Sequence, residues 1–372
     1  MKKHIKLLIV LGILLVGSFS FYLFKGYKKY TVVYENNKIK PSSSGIAMML
    51  ETSAGSGNYE MTTRSEWPTE GYIFNANLSK CENGSELSWD NENKKVLMSG
   101  NVSDKCYVYF DVIQVLLADY IKSLYTGTQG ENSIYYHDAS LTNGAGDNSY
   151  RFAGASDQVN NYVCFGSTQS PCPADNLYRI IGVFGDQVKL IKSTSVGDKK
   201  WNSTNDNTWS TSSLNTYLNN EFINTFDETT KGMIADTTWK VGGFNNSKQP
   251  AKTVYQNEIK SSPSVNKKIG LMYASDYGFA AAQSAWTANL DTYSGEAIKN
   301  VNWLYMGLYD YVWTISRVAG SSFVAFAVFS SGSVGGNGVN DIAYAVRPSF
   351  NLLSSITYVS GSGSANDPIV IN

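Results

Sequence analysis

The sequence is poor in charge and in histidine. Only 16% of its 372 residues are charged, against about 25% in an average soluble domain. The 30 Lys and Arg residues nearly cancel the 31 Asp and Glu residues, which leaves a net charge of −1. Proteins that bind duplex nucleic acid need an excess of basic side chains, so we expect no nucleic-acid partner. Two histidines are too few for a histidine-rich metal centre.

The sequence also lacks the short motifs of familiar catalytic sites. It contains no G-x-S-x-G, P-loop, H-E-x-x-H or EF-hand pattern. His137 is the only histidine beyond the N-terminal region, and a lone histidine beside tyrosines is typical of a structural hydrogen-bonding role. Asp276, Asp310 and Asp341 are more typical of turns and helix caps than of a catalytic pair. We therefore predict no catalytic residue, no metal site and no cofactor.

A long apolar run lies near the N-terminus. Residues 7–24 carry no charge, and as a helix they would cover about 27 Å of a hydrocarbon core that is ~30 Å thick. A cleaved signal peptide and a retained anchor both fit such a run, and its continuation to Lys25, Lys28 and Lys29 favours the anchor. We expect residues 1–29 to be a membrane anchor or signal segment with the lipid bilayer as partner. The protein would then lie in the cell membrane as a single-pass protein, with its C-terminal bulk extracytoplasmic.

The chain has four cysteines, Cys81, Cys106, Cys164 and Cys172. Four cysteines allow three pairings, and sequence order suggests Cys81–Cys106 and Cys164–Cys172. Neither pair has the C-x-x-C spacing of a zinc site. Structural disulfides suit an exported chain, and free buried thiols are the alternative.

Turn residues and composition divide the rest of the chain. Residues 30–44 are predicted as a polar linker, and residues 45–111 as a small all-β domain whose short strands are separated by Gly, Asn, Asp and Ser. Residues 112–125 repeat apolar side chains at i, i+3 and i+4, which predicts a helix that connects the two domains over 112–126. The remainder, 127–372, is predicted as one α+β domain with long polar loops.

Two elements of the larger domain have clear sequence signals. Two β-branched runs flank Gly185 and Asp186, which predicts a β-hairpin. Apolar residues repeat with helical spacing over residues 214–226, and serines within 210–213 offer helix N-caps. The hairpin is the clearest one in the chain.

Aromatic residues are concentrated in a short segment near residue 310. Five of them alternate at odd-numbered positions, so a strand would place them all on one face. Flat rings stack on sugars or anchor protein partners, and Arg is favoured at such contacts. Burial in the core is the alternative. The predicted ligand-binding residues are Trp303, Tyr305, Tyr309, Tyr311, Trp313 and Arg317.

A series of motifs runs in the order YRIIGVFGDQVKLIKS, a Trp-rich loop over 201–209, SLNTYLNNEFINTF, IGLMYASDYGFA, VWTIS and VRPSFNL. In this order they resemble an uncharacterised domain of exported proteins of Gram-positive gut bacteria. CENGSELSWDNENKKV, followed by SDKCYVYFD, resembles a module at the N-terminal side of such proteins. Trp313, a Gly-rich turn and Arg347-Pro348 are similar to the C-type-lectin-like fold, including its formylglycine-generating branch. The resemblance implies a binding scaffold of loops on a small β core. It brings no catalytic residue, since those enzymes use a cysteine pair and this chain has no cysteine after Cys172.

The predicted fold class is α+β: an N-terminal transmembrane helix, a small disulfide-stapled β domain, and a larger loop-rich, C-type-lectin-like α+β domain. The predicted function is that of a membrane-anchored extracytoplasmic binding protein whose ligand is a glycan or a surface protein. A structural envelope or adhesion protein without a small ligand, and a cell-surface hydrolase, are the alternatives.

Overall fold

The structure, a computed structural model, describes residues 31–33, 45–64, 66–101, 103–259, 263–307 and 311–372. The chain divides into two compact units, Met1–Gln114 and Val115–Asn372. The described residues form a mixed α+β structure in which strands predominate. Each unit has its own hydrophobic core.

The predicted fold class is wrong in its transmembrane helix. None of the described helices is both long enough and apolar enough to cross a membrane. The longest of them, Ser213–Asn220 and Ala251–Glu258, have eight residues each and therefore span about 12 Å, far less than the ~30 Å of a hydrocarbon core. The predicted anchor over 1–29 lies outside the described residues, as does the predicted linker over 30–44 except for 31–33.

The first unit is built of strands in two sheets. β7 is the central strand of a three-stranded sheet of order β1-β7-β6. The second sheet has the order β3-β2-β8-β4, with β5 also paired to β8. The strands are β1 Thr31–Val33, β2 Ile46–Glu51, β3 Tyr59–Met61, β4 Tyr72–Phe74, β5 Lys80–Cys81, β6 Glu86–Asp90, β7 Lys95–Ser99 and β8 Cys106–Val112.

The core of the first unit is small. Burial alternates along β7 and along most of β2 and β8, because successive side chains of a strand point to opposite faces. The Cys81–Cys106 disulfide joins β5 to β8 at directly paired positions. The buried residues of this core are Ile46, Met48, Leu50, Trp67, Val96, Met98, Cys106, Val108 and Phe110.

The second unit has short helices and many strands. The helices are α1 Leu117–Ser123, α2 Ser213–Asn220, α3 Glu228–Gly232, α4 Ala251–Glu258, α5 Ala274–Ala280 and α6 Glu296–Lys299. Single turns of 3-10 helix lie at Glu131–Ser133, Ala174–Asn176, Trp209–Thr211, Phe222–Thr225, Gln283–Ala285 and Leu290–Thr292. The strands are β9 Val115–Leu116, β10 Ile134–His137, β11 Ser149–Phe152, β12 Tyr162–Cys164, β13 Leu177–Phe184, β14 Gln187–Lys192, β15 Asp198–Lys199, β16 Thr237–Lys240, β17 Ser264–Lys267, β18 Ile269–Gly270, β19 Tyr311–Arg317, β20 Val324–Phe329, β21 Val334–Gly338, β22 Tyr344–Ala345, β23 Ser349–Asn351, β24 Thr357–Ser360 and β25 Ile369–Ile371.

One large sheet organises the second unit. Its strand order is β18-β23-β14-β13-β12-β25-β24-β9, and β10 and β11 join it through the pairing of β11 with β13. A five-stranded sheet has the order β15-β22-β19-β20-β21, and β16 pairs with β17 as a separate antiparallel pair. Strands distant in sequence are therefore neighbours at the centre of the large sheet.

The local sequence signals correspond to observed elements with shifted ends. β13 and β14 form the hairpin around Gly185 and Asp186. The hydroxyl oxygen of Ser212 accepts the backbone N–H of Asn215 and so caps α2, which ends at Asn220 before a 3-10 turn. The helix expected over 112–125 is shorter, because β9 pairs with β24 in the large sheet before α1 begins.

Candidate functional site

Four residues lie in register across the large sheet. Arg151 of β11 pairs with Gly182 of β13. Gly182 also pairs with Lys189 of β14, which in turn pairs with Asn351 of β23. Register partners share one face of a sheet, so a residue without a side chain separates two cationic ones. Both cations are buried, and burial of a charge is unfavourable unless it is paired.

Two carboxylates supply the counter-charges. Asp276 of α5 is itself buried, and its carboxylate accepts Nη1 of Arg151 at 3.3 Å and Nζ of Lys189 at 2.5 Å. Asp147 Oδ2 lies 2.7 Å from Nη2 of Arg151. The backbone N–H of Tyr273 also donates to Asp276 Oδ2 at 2.9 Å, which fixes this carboxylate at the start of α5. The four charges sum to zero.

The pKa values follow from this pairing. Burial lowers the pKa of Lys189, and the nearby Asp276 partly opposes the change. Burial alone would raise the pKa of Asp147, but Arg151 and a hydrogen bond from Ser149 hold that pKa well below its usual value. For Arg151, the two carboxylates outweigh burial and raise the pKa. Arg151 and Asp147 therefore stay charged inside the protein.

Aromatic rings surround the two cations. Nζ of Lys189 lies 4.5 Å from the ring centroid of Tyr273 and 5.3 Å from that of Trp239. Phe184 lies beside both cations, with its ring centroid 4.6 Å from Cζ of Arg151 and 5.7 Å from Nζ of Lys189. At these distances a ring face attracts a cation. The rings therefore stabilise the ion pairs and also line the space next to them.

This space is a cavity of about 230 Å³, which we call the Lys189 cavity. For comparison, an apolar cavity of about 150 Å³ accepts a benzene ring. The Lys189 cavity therefore has room for one six-membered ring with substituents. Its lining residues are Arg151, Phe184, Lys189, Thr237, Thr238, Trp239, Lys240, Tyr255, Ile259, Tyr273, Asp276 and Asn351.

Trp239 is held at the cavity by two contacts. Its indole Nε1–H donates to the backbone oxygen of Lys267 at 3.0 Å, across the β16–β17 pair. Gly270 lies against the ring so closely that a Cβ there would meet three ring carbons at 2.8–2.9 Å. The glycine thus leaves room for the indole.

We expect Gly270→Ala to lower the free energy of unfolding by about 1–3 kcal/mol, because the added methyl group overpacks a rigid ring. Gly232→Ala is the control, since a Cβ at that helical position meets nothing within 4 Å. Urea unfolding of both variants measures the difference. An equal stability of the two variants would contradict the close contact of Gly270 with Trp239.

Glu258 precedes the lining residue Ile259 in sequence and connects three elements. It is the last residue of α4, and its carboxylate accepts the backbone N–H of Ser275 in α5 at 2.7 Å and the hydroxyl of Ser316 in β19. Burial raises its pKa to about 7, although the hydrogen bonds from Ser275 and Ser316 act in the opposite direction. Between about pH 4.5 and pH 7 the folded protein therefore keeps a proton that the unfolded chain has lost.

This difference gives a pH-dependent stability. The contribution of Glu258 is present below about pH 4.5 and is lost as the pH rises through about 7, a decrease of about 3 kcal/mol. His137 acts in the opposite sense, because burial lowers its pKa far below the ordinary value. The free energy of unfolding of the unchanged protein should therefore contain a decrease between pH 5 and pH 8 that comes from Glu258. We expect this decrease to be absent from Glu258→Gln, because glutamine does not titrate. Urea unfolding at several pH values tests this, and parallel profiles for the two proteins would contradict it.

The predicted aromatic cluster does not form one face of one strand. β19 begins at Tyr311, so Trp303 and Tyr305 lie outside it. Trp303 is 1% exposed and donates its Nε1–H to the backbone oxygen of Phe152 at 2.8 Å. Trp313 is fully buried and donates to the backbone oxygen of Lys199 at 2.9 Å. These two indoles pack in the core and have no exposed ring face.

The other residues of the predicted cluster are half-buried or lie outside the residues that the structure describes. Tyr305 donates its hydroxyl to the backbone oxygen of Ser330 at 2.5 Å. Tyr311 is half-buried between Phe329 and Tyr344, with ring centroids at 4.5 and 4.6 Å. Arg317 donates Nε to the oxygen of Gly242 at 3.1 Å. Tyr309 lies outside the described residues, as does Asp310. None of the described residues of this cluster lines the Lys189 cavity.

His137 packs in the core, and the cysteines form disulfides. His137 is fully buried, its Nδ1 accepts the backbone N–H of Ala145 at 3.0 Å, and its ring packs against Phe279 and Trp286. All four cysteines are bonded, Cys81 to Cys106 and Cys164 to Cys172. The pairing agrees with the one that sequence order suggested.

The Lys189 cavity was not predicted from the sequence, although two features of the chain point to it. Lys189 interrupts an apolar strand, and Gly182 interrupts the strand before it. A glycine within a strand often marks a close approach or an irregularity, and here the register shifts between Ile180 and Gly182. Asp276 was predicted as a cap or turn residue, and it does bond to the first turn of α5 while it also pairs with both cations.

Comparison with known proteins finds a match for part of the chain. Residues 185–354 match a family model described as "Domain of unknown function (DUF6273)". No curated protein and no solved structure matches the chain, so the expected likeness to the lectin-like fold gains no support. The matched segment contains Lys189, Trp239 and Asn351, but it begins after Arg151 and Phe184. The family segment is therefore shorter than the unit that encloses the cavity.

Proposed function

We propose that this protein is an extracytoplasmic binding protein and that its second unit binds a glycan by enclosing one sugar unit in the Lys189 cavity. The observation that carries the proposal is a ring-sized cavity lined by both aromatic faces and buried polar groups. Small-ligand sites combine a mostly apolar lining with a few polar groups that orient the ligand. A sugar ring has an apolar face for Trp239 or Phe184 and hydroxyl groups for the polar wall.

The disulfides support the proposed compartment. Such bonds persist in oxidising surroundings and are rare in a reducing cytosol. Both pairs of cysteines are bonded, and no thiol is left free. The sequence resemblance to exported proteins of Gram-positive gut bacteria is in keeping with this compartment.

The geometry gives less support to the hydrolase alternative. Glycoside hydrolysis needs one carboxyl group to donate a proton and another to act as base or nucleophile. Asp276 already accepts three hydrogen bonds, from Arg151, Lys189 and Tyr273. Glu258 is hydrogen bonded to Ser275 and Ser316 and is not part of the cavity lining. Binding is therefore the function that this arrangement favours.

A glycan array probed with the full chain tests the proposal. We expect one class of glycan to bind, and Phe184→Ala to weaken that binding about tenfold by removing a ring of the cavity wall. Phe184 is half-buried at the end of β13, so its loss should leave the fold intact. Thermal unfolding of the variant verifies this.

Phe329→Ala is a matched control. Phe329 is also a half-buried strand-end phenylalanine, and it packs against Tyr311 rather than in the cavity. The proposal is contradicted if no glycan binds, or if the protein captures only a protein ligand. Weakening by Phe329→Ala and not by Phe184→Ala would instead place the site at the predicted aromatic cluster.

A further inference from the structure

Lys189 and Asn351 form a donor and acceptor pair on one wall of the cavity. They are direct register partners on β14 and β23, so their side chains leave the same face of the sheet about 5 Å apart at Cβ. Both line the Lys189 cavity. A small ligand in the cavity can therefore contact both at once.

Each member of this pair retains hydrogen-bonding capacity. An ammonium group has three N–H donors, and Nζ of Lys189 donates to Asp276 Oδ2 at 2.5 Å. Asn351 donates Nδ2 to the hydroxyl oxygen of Thr237 at 3.3 Å. Within the described part of the chain, its Oδ1 is buried and has no hydrogen-bond partner. A buried acceptor without a partner is unfavourable, so a ligand that donates a hydrogen bond there would stabilise the site.

The charges of the wall disfavour an ionic ligand. The buried cations Arg151 and Lys189 are balanced by Asp147 and Asp276, so a charge placed between Lys189 and Asn351 would be uncompensated. The remaining charged residue of the lining, Lys240, is only half-buried, and solvent screens its charge. A hydroxyl group is uncharged and both donates and accepts. One hydroxyl group can accept from Lys189 while a neighbouring one donates to Asn351.

We infer that the ligand is an uncharged sugar unit with two neighbouring hydroxyl groups, one accepting from Nζ of Lys189 and the other donating to Oδ1 of Asn351, while its ring packs against the aromatic wall. This inference rests on the proposed function and narrows its ligand class. Uronic acids and amino sugars, which carry a charge on the same ring, are disfavoured.

Isothermal titration of the full chain with methyl glycosides tests the inference. The probes are methyl glucoside, galactoside and mannoside, their single-deoxy analogues, and the matching uronic acids and amino sugars. We expect a neutral glycoside to bind, and its uronic acid and amino sugar to bind at least tenfold more weakly. The two deoxy analogues that each lack one of the neighbouring hydroxyl groups should bind about tenfold more weakly.

Asn351→Leu is the decisive variant, because it keeps the number and branching of the side-chain heavy atoms and removes the unpartnered oxygen, together with the amide donor to Thr237. We expect its stability to be unchanged or higher, whereas its affinity for the neutral glycoside falls about tenfold. Its discrimination against the deoxy analogue that lacks the hydroxyl group donating to Asn351 should disappear. A residue with only a structural role would lower stability and leave that discrimination intact. Ser264→Ala, at an exposed position of β17, is the control.

The outcomes separate the inference from the proposed function. If a charged sugar binds more tightly than its neutral parent and Phe184→Ala weakens that binding, the inference is wrong and the proposed function stands. If Asn351→Leu retains discrimination against every deoxy analogue, the inference is also wrong. If no glycoside or arrayed glycan binds, or if binding is insensitive to Phe184→Ala, both are wrong.

Discussion

Replacement of Arg151 with methionine should lower the free energy of unfolding by about 3–5 kcal/mol, because removal of one partner leaves buried charge uncompensated. Arg151 is 2% exposed and pairs with both Asp147 and Asp276. With Arg151 absent, Asp276 would have only Lys189, and Asp147 would lose its cation. Urea unfolding followed by tryptophan fluorescence measures the change, since six of the eight tryptophans lie in the second unit.

A surface ion pair provides the control for this experiment. Lys122 pairs with Asp186 at 2.9 Å, with side chains 28% and 78% exposed. Exposed pairs contribute about 0–1 kcal/mol, so Lys122→Met should have little effect. Combining Arg151→Met with Asp147→Asn should restore part of the loss, because Asp147 is the carboxylate that Arg151→Met leaves without its cation. A loss below about 1 kcal/mol in Arg151→Met would contradict the buried network.

The second large effect concerns the first unit. Replacement of Cys81 and Cys106 with serine should leave that unit largely unfolded, because the bond closes a 25-residue loop and is worth about 3 kcal/mol in the chain-entropy model. A core of nine buried residues offers little reserve against such a loss. Hydrogen exchange resolved by peptide should show lost protection in β2, β7 and β8.

The other disulfide is the matched control. Cys164–Cys172 closes an eight-residue loop, which constrains the unfolded chain less, in a unit with a far larger core. Its double serine variant should keep protection in β13 and β14. Full protection of the first unit without Cys81 and Cys106 would contradict the predicted dependence.

Local structure was predictable where a short segment contains its own signal. Gly185 and Asp186 specify a turn between β-branched runs, and the hairpin forms there. Ser212 offers its hydroxyl to the first turn of α2, as the serine cluster predicted. The pairing of the cysteines was also predictable, since each disulfide joins residues close in sequence. In these cases the partners lie within about 25 residues of each other.

The candidate site was not predictable in the same way. Residues 151, 182, 189 and 351 lie in one register line only because β11, β13, β14 and β23 are neighbours in the sheet. Periodicity reports which face of a strand is apolar, and it does not report which strands pair. Lys189 interrupts an apolar strand, but a lysine within a strand is usually solvent-facing, so the sequence alone does not reveal its buried pairing with Asp276.

The arrangement of the predicted aromatic cluster could not be derived from residue spacing alone. Odd-numbered positions share a face only while the chain stays extended. The strand begins at Tyr311, so the rings on the two sides of this point cannot act as one set. Both faces of β19 are buried at its centre, which explains why Trp313 packs inward beside Tyr344.

The strand order of the large sheet determines where a shortened form of the protein can begin. A fragment trimmed to the matched segment, 185–354, would lack β13 and so expose the backbone groups of β14 along one side, and an unprotected strand edge of this kind invites aggregation. It would also lose Arg151, which leaves Asp276 with a single cation. A recombinant fragment that starts at Val115 retains the neighbouring strand and the complete wall.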